Sequence, residues 1–352
     1  MVTKRLAVAW LGIALGLGSC GGGGDLPNGL LLAISRFEKG AGGAPKPHSE
    51  LVFLSRRGGE WTAQTHEDPS APVFHKALLY QPPGGELGIL TLGGSAPGGP
   101  AALKLWHKTP EGFERETVWE ANFGGKFSRM RDAELADLDG DGAPEIYATP
   151  SEPNRLDGTP QHGEVVRYAG GVRSEVADLG TRHAKEILVT DVDGDGRDEL
   201  YVSVEAAEGG SVEVRRYEGD TDPKAGVGIA SLYDPMARFL TAGDVDGDGK
   251  KEMVVAGKDS GLWLLRPGSD PKAAWRSEPI DAQSKGFEHA ALLADLDGDG
   301  ESELYVASDD DKEIRRYAWD GQRLAREVIH KRADPQPVLT WNLAPVPVSL
   351  VE

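Results

Sequence analysis

The sequence predicts an all-β chain: a six-bladed β-propeller, with seven blades as the alternative, built of four-stranded antiparallel blades and closed by N- and C-terminal strands in one shared blade. Three observations predict it. A nine-residue acidic loop occurs four times at a near-constant period, strand-like runs flank every copy, and the two ends of the chain read as complementary parts of one more blade.

The loops run from Asp137 to Glu145, Asp191 to Glu199, Asp244 to Glu252 and Asp295 to Glu303, and their starts lie 54, 53 and 51 residues apart. That period leaves room for about four strands per unit. Short apolar segments of strand length precede the loops at 133–136, 187–190, 240–243 and 291–294. The runs that follow, at 146–149, 200–203, 253–256 and 304–307, are rich in β-branched and aromatic residues. Each loop therefore reads as the turn joining strands one and two of a blade. Third strands follow at 164–168, 212–217, 262–266 and 314–317, and a less regular fourth segment at places such as 173–179 and 323–330.

A degenerate unit comes before these. Tyr80 to Gly88 sits 57 residues ahead of Asp137, is followed by Ile89-Leu-Thr-Leu, and reads as the same hairpin without its carboxylates, so no metal is expected there. Its later strands fall at 101–106 and 113–119. Segments 30–35, 50–54 and 60–64 read as strands two to four lacking a first, and 338–343 as a first strand lacking the rest. Joining the two closes the ring and removes the exposed edges of an open array. Residues 29–352 are thereby one domain.

In each loop, carboxylates stand at positions 1, 3, 5 and 9 and glycines at 4 and 6. Calcium is a hard cation that takes roughly 6 to 8 oxygens, and alternating aspartates on a chain curled by glycines turn carboxylates to the concave side. The expected ligand sets are Asp137, Asp139, Asp141 and Glu145; Asp191, Asp193, Asp195 and Glu199; Asp244, Asp246, Asp248 and Glu252; and Asp295, Asp297, Asp299 and Glu303. Ala143, Arg197, Lys250 and Glu301 would each add a backbone carbonyl. An EF-hand would need a bidentate Glu at position 12 and flanking helices. Position 12 here is Ala148, Val202, Val255 or Val306. A lone Asp-Gly turn is a weak signal, but four copies with Glu in the same ninth place point to about four calcium ions.

Four such ions would move the formal net charge from −19 to −11. The remaining acidity argues against nucleic acid, whose phosphates demand a basic surface. The one cysteine, Cys20, excludes an intramolecular disulfide. Lys4 and Arg5, the apolar run 6–17 and then Leu17-Gly18-Ser19-Cys20 give the order of an export signal, too short to span a bilayer. That segment resembles the lipobox of bacterial lipoproteins. The resemblance implies a signal peptide over 1–19, a lipidated Cys20 with a glycine-rich tether over 20–28, a membrane held through the lipid, and, since no acidic residue directly follows Cys20, the outer membrane. Gly16 to Gly21 also fits a dinucleotide-binding GxGxxG pattern, but no strand precedes it.

The Asp-x-Asp-x-Asp-Gly-x-x-Glu hairpins at this period resemble the FG-GAP/VCBS repeats of integrin α-chain propellers and bacterial exported proteins. The resemblance is specific at the four loops and implies calcium at the turn between strands one and two. Empty loops crowded with carboxylates would then be expected to fray.

Antiparallel strands put the acidic turns on one face and the variable loops, such as 150–163 and 205–210, on the other, the default surface for a protein or polysaccharide partner. Six residues before each loop stand Arg131, Lys185, Arg238 and His289. They would begin the innermost strands on the variable-loop side. One reading is a basic collar at the channel mouth that binds an acidic ligand such as a uronate polymer; the other is that each pairs with a neighbouring acid. The sequence contains no Gly-x-Ser-x-Gly elbow, no His-Glu-x-x-His and no phosphate loop. Tyr147, Tyr201 and Tyr305 recur with the period and read as packing. A non-catalytic binding, adhesion or scaffold module is therefore expected, with a polysaccharide lyase or hydrolase on the same fold as the alternative.

Overall fold

The computed structural model describes residues 28–39, 45–57, 60–68, 73–82, 84–93, 99–123, 128–141, 144–151, 162–219, 221–286, 290–333 and 337–350. Twenty-four strands form six four-stranded antiparallel sheets. The shared blade holds β1 (Gly29–Lys39), β2 (Pro45–Arg57), β3 (Glu60–Asp68) and, from the far end of the sequence, β24 (Val338–Val346). The degenerate blade is β4 (Phe74–Tyr80), β5 (Gly88–Gly93), β6 (Ala101–Thr109) and β7 (Gly112–Ala121).

The four blades with acidic loops follow in chain order. They are β8 (Arg129–Ala136), β9 (Glu145–Ser151), β10 (Gly163–Ala169) and β11 (Val172–Gly180); β12 (Ala184–Thr190), β13 (Glu199–Val204), β14 (Val212–Tyr217) and β15 (Val227–Leu232); β16 (Ala237–Gly243), β17 (Glu252–Gly257), β18 (Gly261–Arg266) and β19 (Arg276–Asp281); β20 (Ala291–Ala294), β21 (Glu303–Ser308), β22 (Glu313–Trp319) and β23 (Leu324–Lys331). Six blades, not seven, make the ring.

Strands β4, β8, β12, β16, β20 and β24 touch one another around the centre, so the first strand of every blade is the innermost. Next to them β13, β17 and β21 are buried at every position, because each is covered on both faces by neighbouring blades. That double burial explains the apolar runs at 200–202, 253–256 and 304–307. The outermost strands, β7 and β19, are largely exposed and carry no clean alternation.

Side chains on the inner strands tie one blade to the next. Asn342 Oδ1 accepts from the Ala77 amide (3.1 Å), Asp132 Oδ2 from the Ile187 amide (2.8 Å) and Thr241 Oγ1 from the Leu293 amide (2.7 Å). At the closure, Asp309 accepts from the amide and hydroxyl of Thr340 and from Arg332.

The register of the degenerate blade corrects one expectation. Tyr80 pairs with Gly88 as Thr190 pairs with Glu199, so Tyr80 ends a strand and is not the first loop residue. The loop begins at Gln81 and is one residue shorter than the acidic ones.

Candidate functional site: acidic loops and channel mouth

In the loop after β12 the aspartate at position 1 organises the turn. Asp191 accepts from the amides of Gly194 (2.7 Å) and Gly196 (2.9 Å), both glycines having positive φ. Asp195 accepts from the Arg197 amide at 2.9 Å. The same bonds recur at Asp244 with Gly247 and Gly249, and at Asp295 with Gly298 and Gly300. Asp248 and Asp299 likewise accept from Lys250 and Glu301. Carboxylate oxygens of Asp137, Asp139 and Glu145 gather within 4.8 Å of one another, as do those of Asp191, Asp193, Asp195 and Glu199, and those of Asp244, Asp246 and Asp248. Ala143 lies outside the described residues.

An arginine from the third strand enters every loop. Arg216 Nη2 lies 2.7 Å from Asp193 and 3.0 Å from Glu199, bridging positions 3 and 9. Arg266 Nη1 joins Asp246 (2.8 Å) and Glu252 (2.7 Å), Arg167 Nη1 joins Asp139 (2.5 Å) and Glu145 (4.0 Å), and Arg316 Nη2 joins Asp297 (3.0 Å) and Glu303. The buried hydroxyls of Tyr147, Tyr201 and Tyr305 donate to the second oxygen of the position-9 glutamate at 3.0–3.1 Å. Packing was the expected role of these tyrosines; anchoring the glutamate is an added one. The third loop has Val254 in that place, and Glu252 accepts from the Val245 amide at 3.1 Å instead. Burial raises the proton affinity of all four glutamates, against the pull of their arginines, and pushes Glu252 up to about 7.

The donor set fits calcium. It is all oxygen, mostly carboxylate, on a tight turn. Asp246 adds a specific sign: Oδ2 is held by Arg266, while Oδ1 is buried with no hydrogen-bond partner among the described residues. A buried carboxylate oxygen left over in this way wants a cation.

The opposite face carries the starts of the inner strands. In five inner strands the register slips by one residue near the start: at His75, across Arg131 and Asp132, at Lys185, at Arg238 and at Trp341. A bulge of this kind re-aims a side chain. His75 and Trp341 meet edge to face at 5.0 Å, and the Arg238 guanidinium lies 5.6 Å from the Trp341 ring centroid. Burial drives the His75 imidazole down to about 3, reinforced by Arg238, Arg129, Arg131 and Lys185, so it is neutral at pH 7. Burial lowers Lys185 to about 8, with Arg131 and Arg238 acting in the same direction although Glu205 lies 2.6 Å away. Three of the four expected collar residues are thus brought together; His289 is outside the described residues. His75, Arg129 and Trp341 join them unforeseen. Deeper in, Lys76 meets Asp132 (2.9 Å), Glu134 (2.6 Å) and Glu186 (3.9 Å).

The profile of the FG-GAP-like repeat matches residues 191–255 and 244–306, the stretch from the second acidic loop to just past the fourth. No curated protein matches the chain. Among solved structures, the GH93 α-L-arabinofuranosidase of Fusarium graminearum is 12% identical, with a TM-score of 0.52 over 86% of this chain and 93% of that one. An α-L-arabinanase of Penicillium chrysogenum is 13% identical, with a TM-score of 0.50 over 88% and 93%. At such identity the likeness is one of fold.

Proposed function

Since the chain is a six-bladed β-propeller carrying FG-GAP-like repeats, we propose that it is a calcium-binding, non-catalytic binding module, exported and held to the outer membrane through a lipidated Cys20, which takes an acidic polymer at the channel mouth. The observation that carries this reading is the convergence about His75 of Arg131, Lys185 and Arg238, at bulged positions on the variable-loop face, and of Arg129 beside them, with Trp341 against His75 and Arg238. Burial lowers Lys185 first and the neighbouring arginines add to it, so these cations gain from an anion placed among them. A uronate-bearing polysaccharide supplies such anions in series.

The experiment is a binding titration with polygalacturonate and, as the uncharged control, arabinan. Polygalacturonate is expected to bind and arabinan not, and the double variant R131E/R238E is expected to lose binding at least tenfold at a temperature where its melt shows it folded. Intact binding in that variant would remove the mouth from the proposal. The same incubations, read for unsaturated product in the ultraviolet and for new reducing ends, test the alternative of a lyase or hydrolase, which the resemblance in fold to arabinan-degrading enzymes keeps open. Against it stand the channel carboxylates Asp132, Glu134 and Glu186, all gathered around Lys76.

Binding should also depend on pH. The groups facing Lys185 are Arg131, Arg238 and Glu205, and its proton leaves near pH 8 in the fold but near 10.5 unfolded. Affinity for polygalacturonate is expected to fall as pH rises from 7 to 9, by roughly fivefold for one lost charge at about 1 kcal/mol. Over the window from about 8 to 10.5 the unfolded chain holds more protons at this site, so its contribution to stability rises while binding falls. Lys185→Arg, which stays charged, should abolish the pH step; a step that survives would place its origin elsewhere.

Calcium should raise the melting midpoint, since an ion that binds the folded loops and not the unfolded chain stabilises by mass action. At millimolar CaCl2, the midpoint is expected several degrees above that in EGTA. Identical melts would contradict the metal reading.

A further inference from the structure

We infer that Arg167, Arg216, Arg266 and Arg316 are built-in counter-cations of the four acidic loops, each holding the carboxylates at positions 3 and 9 so that the loop keeps its shape before any ion arrives. The inference rests on the calcium reading of the loops. It changes what the ion does: calcium is added to a turn already formed and is not the condition for forming it.

The contacts recur although nothing in the spacing enforces them. The arginine follows the position-9 glutamate by 22, 17, 14 and 13 residues, because the variable loop between strands two and three differs in every blade. In three blades it stands directly across from the tyrosine: Arg167 opposite Tyr147, Arg216 opposite Tyr201, Arg316 opposite Tyr305. The third blade breaks that register. Leu264 faces Val254, and the arginine sits two residues further on, at Arg266. It nevertheless reaches the same two carboxylates at 2.8 and 2.7 Å. An arginine delivered to one pair of acids from two registers is required by the pair, not by the strand.

The charge balance shows what it supplies. Position 9 is buried in all four blades, where an unpaired carboxylate is costly. With the arginine, the four carboxylates of a loop carry a net charge of −3 in place of −4. The bridge also fixes which oxygens remain for an ion. Those of Asp246 are divided, one on Arg266 and one buried without a hydrogen-bond partner among the described residues. The position-9 glutamate is therefore chiefly an anchor between strands two and three, and the aspartates at 1, 3 and 5 are the donors left for the ion.

The test uses the full chain with Arg266→Met and Arg316→Met, each melted in EGTA and in saturating CaCl2, alongside calcium titration calorimetry of wild type and variants. Each variant should melt lower than wild type by a wider margin in EGTA than in calcium, so that calcium raises the midpoint of the variant by more than it raises that of the wild type. Calcium should still bind the altered loop, roughly fivefold more tightly for the charge removed. An equal drop under both conditions would reduce the arginine to packing, and loss of calcium heat from the altered loop would make it part of the ion site itself; either overturns the inference. Absence of calcium heat in the wild type would instead sink the metal reading. Arg316→Lys keeps the charge without the fork and is expected to behave between the two, which covers a methionine variant that fails to fold.

Discussion

Replacing Lys76 by methionine is expected to cost about 3–5 kcal/mol of folding free energy, the usual penalty for removing one partner from a buried ionic group. The Lys76 side chain is 9% exposed and its ammonium serves Asp132, Glu134 and Glu186, which come from two neighbouring blades. Burial already raises the proton affinity of these three carboxylates despite the lysine. Without it they would repel one another at the centre of the ring, and the easiest relief is to take up protons. A carboxylate whose folded pKa lies above its unfolded value contributes most at low pH and loses that contribution as pH rises through the folded value. Urea denaturation should therefore show the deficit of the variant shrinking from pH 8 to pH 5. A deficit independent of pH would mean that shape, not charge, was lost. Adding Glu134→Gln to the variant should recover part of the stability at pH 8.

The second large effect concerns closure. Ending the chain before Val338 removes β24, which pairs along β1 and supplies the inner strand of the shared blade. Val338, Leu343, Val346 and Leu350 are all at most 8% exposed. At about 1.5–3 kcal/mol for each large buried side chain, their loss amounts to roughly 6–12 kcal/mol, comparable with the whole stability of an ordinary domain. The contacts of Asn342 with Ala77 and of Thr340 with Asp309, which fasten this strand to blades on both sides, go with it. The truncated chain is expected to lose its cooperative melting transition. A sharp transition retained within a few degrees of the parent would show that the ring does not depend on its clasp.

How far these features could be read beforehand depends on what fixes them. The second strands were legible because burial on both faces forces apolar runs such as those at 200–202 and 253–256. Strand ends in the shared blade were not, since β1 and β2 run on as a long hairpin past the 30–35 and 50–54 cores. The mouth was legible only where there was a loop to count back from. Arg131, Lys185 and Arg238 each stand six residues before an acidic loop, and His75 stands six before Gln81. Counted from Tyr80, the start that the sequence suggests for the degenerate loop, the same interval falls on Phe74, a core side chain 1% exposed. Trp341 has no loop after it at all, only the end of β24 at Val346, five residues on. The arginine bridges escaped for the converse reason: their geometry is constant while their distance along the sequence is not. The recurring Arg-Tyr at 167–168, 216–217 and 316–317 was the one available trace.

One detail of the closure reaches beyond stability. β24 finishes at Val346 beside Gly29, the first residue of β1, just where four other blades carry their acidic turn. The start of β1 and the end of β24 therefore both lie on that pole. A probe set at Gly29 or at Val346 would report from the acidic pole, across the body from Arg131, Lys185 and Arg238.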